Sequence, residues 1–264
     1  MEQRRFENKV VLVTGGSSGI GRATALAFAR EGARVVLASR GQERGETVAR
    51  EIEEVGGEAL FVPTDVSHTG DVQSLVRAAV ERFGRLDCAF NNAATLEVER
   101  FQATHEYSEE EWDQGMALNL KSVWLSMKHE VEQMLRQGGG GAIVNTSSVN
   151  GLGGVARSAL YAAAKAGVLG LTKSAALEYA AQGIRVNALV AGGFRTPMLE
   201  SVFAKMSPEN PAAVEESLAQ LVPLGRIGRP EEAADAVLWL CSEASSYVTG
   251  LSLIVDGGFT APYR

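Results

Sequence analysis

Short apolar runs rich in β-branched residues alternate along the chain with longer segments whose apolar residues recur at helical spacing. Because these runs are almost continuously apolar, they are typical of parallel strands that are covered by helices on both faces. The pattern therefore predicts a doubly wound α/β fold with seven parallel strands. The predicted strands are residues 9–14, 34–38, 59–62, 86–90, 141–146, 184–190 and 251–255.

The helical segments between the strands begin and end at recognisable signals. Ser108 and Glu111 form a capping box, which predicts the start of a helix that continues to about Gln137, where a run of four glycines ends it. The order of helices and strands favours βαβ units. The other helical patterns cover residues 22–30, 71–83 and 158–181.

One stretch interrupts this alternation. Residues 195–229 contain four prolines among large apolar residues. Ligands of doubly wound sheets bind beyond the carboxyl ends of the strands, so we interpret the stretch as an insertion of short helices that covers a substrate there. A long surface loop without such a role is the alternative.

Length, composition and charge narrow the class of protein. The chain suits one domain over residues 1–264, and its 25 basic and 32 acidic residues give a net charge of −7, which argues against a nucleic-acid partner. No apolar run reaches the roughly 18 residues that span a bilayer, and residues 1–10 lack a signal-peptide pattern, so we expect a cytoplasmic protein with no membrane partner. Cys88 and Cys241 lie in separate apolar runs, which is typical of reduced core thiols.

The first predicted strand ends in a glycine-rich turn, TGGSSGIG, from Thr14 to Gly21, which continues directly into a helical pattern. Unpaired N–H groups and the dipole at the start of a helix attract phosphate, so this turn predicts a pyrophosphate site. The spacing G-x-x-x-G-x-G matches neither G-x-G-x-x-G nor the P-loop, which argues against ATP. A plain turn is the alternative, and the position after the first strand disfavours it.

The end of the second predicted strand bears on the choice of dinucleotide. A carboxylate at this point binds the adenosine ribose in NAD(H) enzymes, but the chain has Ala38, Ser39 and Arg40 here. A guanidinium in place of an acid favours a 2′-phosphate, so we predict NADP(H) rather than NAD(H). Arg40 as a solvated surface residue is the alternative.

A serine, a tyrosine and a lysine follow the fifth predicted strand. Tyr161 and Lys165 are one helical turn apart, and an ammonium near a phenol favours the phenolate, which makes the phenol a usable acid or base. Ser148, at the carboxyl end of the strand, could stabilise charge on a carbonyl oxygen. Y-x-x-x-K alone would more often be an exposed pair, but the glycine turn and the serine spacing favour a common site.

The three histidines do not indicate a metal site. His68, His105 and His129 show no metal-ligand spacing, so we expect surface or capping roles for them.

These motifs, in this order, resemble those of the short-chain dehydrogenase/reductase family, and the resemblance extends from about Lys9 to Gly258. Asn119, Ser148, Tyr161 and Lys165 are similar to the catalytic tetrad of that family. Other matching segments are Thr14–Gly21, Asp65–Val66, Asn91–Ala94, Arg185–Asn187 with Thr196–Pro197, and Asp256–Gly258.

The resemblance implies a Rossmann fold and hydride transfer between a nicotinamide and a carbonyl or alcohol carbon. Tyr161 would exchange the proton, Ser148 would hold the substrate oxygen, and Lys165 would also bind the nicotinamide ribose. Asn119 would support a water that links Lys165 to a proton relay. The family resemblance, together with the glycine turn and the end of the second strand, also implies a set of cofactor contacts. These are Gly15, Ser17, Ser18, Gly19, Ile20, Ser39, Arg40, Asp65, Val66, Asn92, Ala93, Tyr161, Lys165, Gly192 and Thr196.

The chain departs from the family pattern at three positions. Ala94 replaces a glycine, Ala191 replaces a proline, and Ser18 stands where many NADP-preferring relatives have a basic residue. We expect adjusted loops at the first two positions and retained activity. Family members are often tetramers, so the resemblance also implies a homo-oligomer, tetramer or dimer, in which helices at 108–137 and 158–181 pair.

We therefore predict an NADP(H)-dependent oxidoreductase that acts on a small carbonyl or secondary-alcohol substrate. The alternatives are an NAD(H)-preferring alcohol or sugar dehydrogenase, and a cofactor-binding sensor or scaffold with little turnover. An intact Ser148, Tyr161 and Lys165 argues against the scaffold, because binding alone does not need a proton donor. The sequence does not identify the substrate.

Overall fold

The computed structural model describes residues 4–96 and 101–261. Within these ranges the chain forms one sheet of seven parallel strands, as predicted, in the order β3-β2-β1-β4-β5-β6-β7. The order reverses between β1 and β4, which creates the crevice where doubly wound folds bind ligands. The strands are β1 (Val10–Thr14), β2 (Arg34–Ser39), β3 (Glu58–Pro63), β4 (Cys88–Asn91), β5 (Gly141–Ser148), β6 (Ile184–Ala191) and β7 (Ser252–Val255).

Nine α-helices accompany the strands within the described ranges. Together with a π-helical turn at Ala117–Lys121, α4 and α5 form one continuous segment. The helices are α1 (Gly19–Arg30), α2 (Gln42–Glu54), α3 (Thr69–Phe83), α4 (Glu109–Met116), α5 (Ser122–Gln137), α6 (Ala159–Tyr179), α7 (Pro197–Met206), α8 (Pro211–Leu221) and α9 (Pro230–Cys241).

The helices cover both faces of the sheet because successive strand residues point to opposite sides. Val11 and Val13 of β1 pack with α1, α2 and α9, whereas Val10 and Leu12 pack with α3, α5 and α6. All four of these side chains are fully buried, which explains the continuous apolar runs in the sequence. The fold class predicted from the sequence is therefore confirmed.

Several boundaries differ from the prediction. β4 begins at Cys88 rather than at residue 86, because the side chain of Gln137 holds both backbone groups of Leu86, at 2.9 and 2.6 Å. α3 begins at Thr69 rather than at Asp71, whose carboxylate instead accepts the N–H of Asp65 at 3.0 Å. Helices α2 and α9 were not among the predicted helices.

The stretch 195–229 contains α7 and α8. Both begin with proline at the first helical position, and Thr196 and Asn210 cap them by accepting the N–H groups of Leu199 and Ala213 at 3.3 and 3.2 Å. The ends of the predicted domain, residues 1 and 264, lie outside the described residues. No helix within the described ranges is long and apolar enough to cross a membrane.

The cysteines and one histidine lie in the interior. Cys88 and Cys241 are buried and reduced, as predicted. His68 is exposed beside Asp65, with its Nδ1 3.5 Å from the carboxylate, but His129 is only 8% exposed, so a surface role for His129 is wrong. It lies on the inner side of α5, where its Nδ1 is 3.2 Å from Glu132.

Candidate active site

The glycine turn joins β1 to α1 at the carboxyl edge of the sheet. Gly15 and Gly19 have φ angles of +66° and +51°, in the left-handed region that favours glycine. A Cβ on Gly21 would lie 2.2 Å from the carbonyl oxygen of Gly15, so the helix can approach the turn only because residue 21 is glycine. Ser18 precedes α1 without capping it through its side chain. The first N–H groups of α1 therefore lack a side-chain cap and suit an anion.

A cavity of about 530 Å³ extends from this turn along the carboxyl ends of the strands. Asn119 and Lys165 are the two predicted site residues that do not line it. The predicted residues that line the cavity are Gly15, Ser17, Ser18, Gly19, Ile20, Ser39, Arg40, Asp65, Val66, Asn92, Ala93, Ser148, Tyr161, Gly192 and Thr196.

Lys165 lies just behind the cavity wall. It is 1% exposed, and its Nζ donates a hydrogen bond to the carbonyl oxygen of Thr146 at 2.9 Å. The same Nζ is 5.6 Å from the centre of the Tyr161 ring. Burial lowers the pKa of Lys165 to about 8, so the group is still mainly an ammonium at neutral pH. The structure thus brings a buried positive charge next to the phenol.

Ser148 and Tyr161 contact the cavity from neighbouring elements. Ser148 is the last residue of β5, and Tyr161 lies in the first turn of α6. The Oγ of Ser148 accepts the N–H of Asn150 at 3.2 Å, which orients the hydroxyl. A hydroxyl that accepts one hydrogen bond can still donate its own proton. The pair therefore presents two hydroxyl groups to one ligand site.

Asn119 occupies the π-helical turn between α4 and α5. It is 1% exposed, and its Oδ1 accepts the N–H of Thr95 at 2.9 Å. Sequence reasoning predicted an uninterrupted helix here, since the residues of the turn have ordinary helix propensities. Single π-helical turns often occur at functional sites because they displace a side chain and release backbone groups. The structure shows how Asn119 holds a cavity-lining loop through Thr95.

The end of β2 brings cationic groups to the cavity. Ser39 and Arg40 line it, and so does Arg44, which sequence reasoning missed. Arg44 lies in the first turn of α2, and a Cβ on Gly41 would lie 3.5 Å from its guanidinium nitrogens. The sequence contained a signal for a second cation at this site, because Arg44 follows Arg40 by four residues at the start of a helix.

Asp65 also lines the cavity and is near enough to Arg40 to interact with it electrostatically. Burial alone would raise the pKa of Asp65. Two hydrogen bonds from Ser67 and the nearby charges of His68 and Arg40 lower it by more, so the pKa of Asp65 lies below its ordinary value. The carboxylate is therefore ionised at neutral pH. Among the described residues, Arg40, Arg44 and Asp65 are the charged groups of the cavity wall, and all three lie at this end.

Strand β4 meets the glycine turn through Thr14. The Oγ1 of Thr14 accepts the backbone N–H groups of Asn92 and Ala93 at 3.0 and 3.1 Å. The side-chain amide of Asn92 donates to the carbonyl oxygens of Thr14 and Gly15 at 3.3 and 3.5 Å. These four contacts fix the floor of the cavity at the point where the strand order reverses.

Gly192 and Thr196 close the cavity after β6. The N–H of Gly192 donates to Val255 at 3.0 Å, and a Cβ on Gly192 would lie 2.6 Å from that of Asp256. Thr196 lies against Gly19, whose added Cβ would be 3.0 Å from the methyl group of Thr196. The segment after β6 therefore contacts the start of α1 directly.

The far end of the cavity is apolar. Its wall is formed by side chains from the loops after β4 and β5, from the π-helical turn, from α7, from the end of α8 and from the segment after β7. No group of three or more metal-binding side chains occurs in the part of the chain that the structure describes. The apolar wall residues are Leu96, Phe101, Leu118, Val149, Val155, Met198, Leu199, Val202, Leu218, Val222 and Phe259.

Comparison with known proteins identifies the family. Residues 15–260 match a family model described as enoyl-(acyl carrier protein) reductase. The chain is 44% identical to 2,5-dichloro-2,5-cyclohexadiene-1,4-diol dehydrogenase of Sphingobium indicum, covering 97% of this chain and 98% of the relative. It is 42% identical to cyclohexanol dehydrogenase of an Acinetobacter species, with 97% of each chain covered.

A solved structure extends the likeness to three dimensions. The crystal structure of levodione reductase is similar to this chain with a TM-score of 0.94 and 40% identity, covering 98% of this chain and 100% of the other. The sheet order, the glycine turn and the Ser148–Tyr161–Lys165 arrangement agree with the resemblance noted in the sequence. The chain therefore belongs to the short-chain dehydrogenase/reductase family, and it is an NAD(P)-dependent oxidoreductase that acts on CH–OH and C=O groups.

Proposed function

We propose that this enzyme prefers NADP(H) and interconverts a small, uncharged ring alcohol and the corresponding ketone. The observation that carries the proposal is a single cavity with an anion-binding turn and two guanidinium groups at one end, an apolar wall at the other, and Ser148 and Tyr161 between them. The order of these groups along the cavity matches the parts of a dinucleotide followed by a substrate.

The residues present fit a nicotinamide dinucleotide. The uncapped start of α1 suits the pyrophosphate, and the glycines at positions 15 and 19 let Asn92 and Thr196 pack closely against the turn, since an added Cβ would lie 2.9 and 3.0 Å from them. Arg40 and Arg44 suit a 2′-phosphate on the adenosine ribose, because guanidinium groups form charge-assisted hydrogen bonds to phosphate. Asp65, Val66, Gly192 and Thr196 all line the cavity, and we expect the first two to contact the adenosine and the last two to contact the nicotinamide.

The bound nicotinamide would supply or accept the hydride. Tyr161 would give its hydroxyl proton to the substrate oxygen during reduction and take it back during oxidation. The ammonium of Lys165, 5.6 Å from the ring, stabilises the phenolate that remains. Ser148 would donate a hydrogen bond to the same oxygen, which stabilises its developing charge. Asn119 would hold the loop at Thr95 beside the reacting groups.

The substrate class follows from the apolar end of the cavity. Side chains such as Met198, Val202 and Leu218 offer dispersion contacts, and in the described part of the wall no charged group lies at this end to bind a substrate carboxylate or phosphate. Two of the relatives are named as dehydrogenases of a cyclohexadienediol and of cyclohexanol, which supports a neutral six-membered ring as the substrate.

A substrate panel tests this function. We expect turnover of neutral ring ketones with NADPH, and of ring alcohols with NADP⁺, followed by nicotinamide absorbance. Tyr161→Phe should lower kcat at least ~10²-fold with unchanged NADPH affinity, which is the scale of a general acid. Tyr247→Phe, at a fully exposed tyrosine, is the matched control. Normal turnover by the Tyr161 variant would contradict the proton assignment, and NADPH binding without turnover of any panel member would favour a scaffold.

We also propose a single domain in which α7 and α8 cover the substrate, and a homo-oligomer, dimer or tetramer. The outer surfaces of α5 and α6 support the oligomer, since Trp124 and Leu135 are about half exposed and Leu177 is 85% exposed. Sedimentation of the wild type and of Leu177→Lys would test it, because a charged side chain should dissociate a contact at this position. The cytoplasmic location stays a prediction.

A further inference from the structure

A buried acid lies beneath the active site and takes no part in the chemistry proposed above. Glu130, on α5, is 1% exposed, and its Oε2 accepts a hydrogen bond from the side-chain amide of Asn91 at 2.9 Å. Burial raises the pKa of Glu130 to about 8, an effect that this hydrogen bond only partly offsets. Carboxyl groups are rarely buried without a specific partner because desolvation is costly.

Asn91 connects this acid to two strands and a second helix. Its Nδ2 also donates to the Oδ1 of Asn145 on β5, at 3.1 Å. The amide of Asn145 in turn donates to the hydroxyl of Thr172 on α6, at 3.0 Å. Side chains from α5, β4, β5 and α6 are thus joined in one buried network, and such networks specify a unique arrangement of the elements that they join.

Both strands of the network end at the cavity. Asn91 is the last residue of β4, and the next residue, Asn92, contacts the glycine turn through Thr14 and Gly15. On β5, Asn145 precedes Thr146, whose carbonyl oxygen accepts the ammonium proton of Lys165. A shift of the network therefore moves the floor of the cofactor site and the support of the catalytic lysine together.

The hydrogen bonds indicate which form of the acid the network contains. The Oε1 of Glu130 and the Oδ1 of Asn91 are both buried, and neither has a hydrogen-bond partner among the residues that the structure describes. An ionised carboxylate would leave an uncompensated charge beside these acceptors. A protonated carboxyl is neutral and adds a donor to a network that has too many acceptors.

We propose that Glu130 is a positioning residue for hydride transfer, acting through Asn91 and Asn145 on the two strand ends beneath the cavity. The inference rests on the proposed function, because it assigns a purpose to the placement of the groups that carry out that function.

Three variants test the inference. Glu130→Met keeps the volume but removes the hydrogen bond, and Glu130→Gln keeps a neutral group that can both accept and donate. Glu132→Met, on the same helix with its side chain half exposed, is the matched control. We expect the Met variant at position 130 to lower kcat about 10-fold or more at saturating NADPH and substrate, because small misplacements of reacting groups are costly. The Gln variant should stay within about twofold of the wild type, and the control should be unchanged.

A second measurement separates positioning from simple stabilisation. If Glu130 only stabilises the fold, the Met variant will unfold at a lower urea concentration while its folded fraction keeps the wild-type kcat, and that result overturns the proposal. Should the Met variant not fold, Asn91→Ser carries the test, since it removes the same hydrogen bond and should give the same loss of kcat; a wild-type kcat would overturn the proposal.

Failure of the proposed function would be visible separately, as absence of turnover in the wild type. If the wild type shows no turnover, the dissociation constant of NADPH tests the inference instead. Asn92 follows Asn91, the partner of Glu130, and lines the proposed NADPH site. A several-fold weaker NADPH complex in the Met variant, restored in the Gln variant, supports positioning by Glu130. Equal affinities in all variants overturn it.

Discussion

The two ends of the active-site cavity are built from different parts of the protein. At the end proposed to bind the dinucleotide, the wall is formed by strand ends and by glycines that allow close approach, with Arg40, Arg44 and Asp65 as charged side chains. At the substrate end, apolar side chains on loops and on α7 and α8 form the wall. Backbone geometry tolerates few substitutions, whereas an apolar wall tolerates many of similar volume. We therefore expect the first end to be specific to its cofactor and the second to be adaptable to different substrates.

The largest effect should come from a side chain added at the dinucleotide end. Gly21→Val places a Cβ at the 2.2 Å approach to Gly15, so the turn must open, and we expect NADPH binding to weaken by at least ~10²-fold, as for loss of several charge-assisted hydrogen bonds. Calorimetric titration measures the change.

Gly70→Ala is the matched control for this substitution. Gly70 is an exposed helical glycine of α3, and a Cβ added to it would contact no atom beyond its chain neighbours and its own helix backbone, so alanine should raise stability slightly and leave NADPH binding unchanged. Wild-type affinity in the Gly21 variant would contradict a backbone-built site.

The next effect concerns Lys165, which lies behind the cavity wall with its Nζ 5.6 Å from the centre of the Tyr161 ring. Since burial lowers its pKa to about 8, the ammonium is present below this pH and is lost above it. We therefore expect kcat to fall as pH rises through about 8, by up to ~10-fold per pH unit. Lys165→Met should have a low kcat without this alkaline limb, and Lys128→Met, on α5, should keep the wild-type profile. A limb that persists in the Lys165 variant would assign it to another group.

A smaller effect should distinguish the two cofactors. We expect NADPH to bind more tightly than NADH, and Arg40→Ala to reduce the difference about 10-fold, the worth of one charge-assisted hydrogen bond. Arg44→Ala should reduce it further, whereas Arg50→Ala, at the far part of α2, should not. Parallel titrations with both nucleotides measure the ratio. Equal affinities in the wild type would reject the interpretation of Ser39 and Arg40.

The smallest effect should come from the substrate end. Leu218→Ala removes part of the apolar wall, and we expect kcat/KM for a ring ketone to fall about fivefold, close to 1 kcal/mol of lost apolar contact. NADPH affinity should change much less, because the proposed dinucleotide contacts come from the glycine turn and the guanidinium groups rather than from the apolar side chain of Leu218. Steady-state kinetics with both ligands varied would measure the two effects, and an equal loss in NADPH binding would remove the distinction between the ends.

The same contrast explains what the sequence could predict. All seven strands lie where the apolar runs predicted them, and the glycine turn was recognisable because it needs specific residues in consecutive positions. The π-helical turn at Asn119 was missed, because local propensity does not distinguish it from an ordinary helix. Glu130 was also missed, because its burial depends on Asn91, which is 39 residues away in the sequence. Contacts of this kind follow from the assembled fold rather than from local pattern.

The hydroxyl of Thr14 accepts N–H groups from both residues that follow β4, and so it ties together the two strands between which the sheet reverses its order. Strands β1 and β4 cannot separate here without breaking both of these hydrogen bonds. We therefore expect the motions that admit a nucleotide or release a product to occur in the loops and short helices above the crevice. The sheet below them should stay rigid.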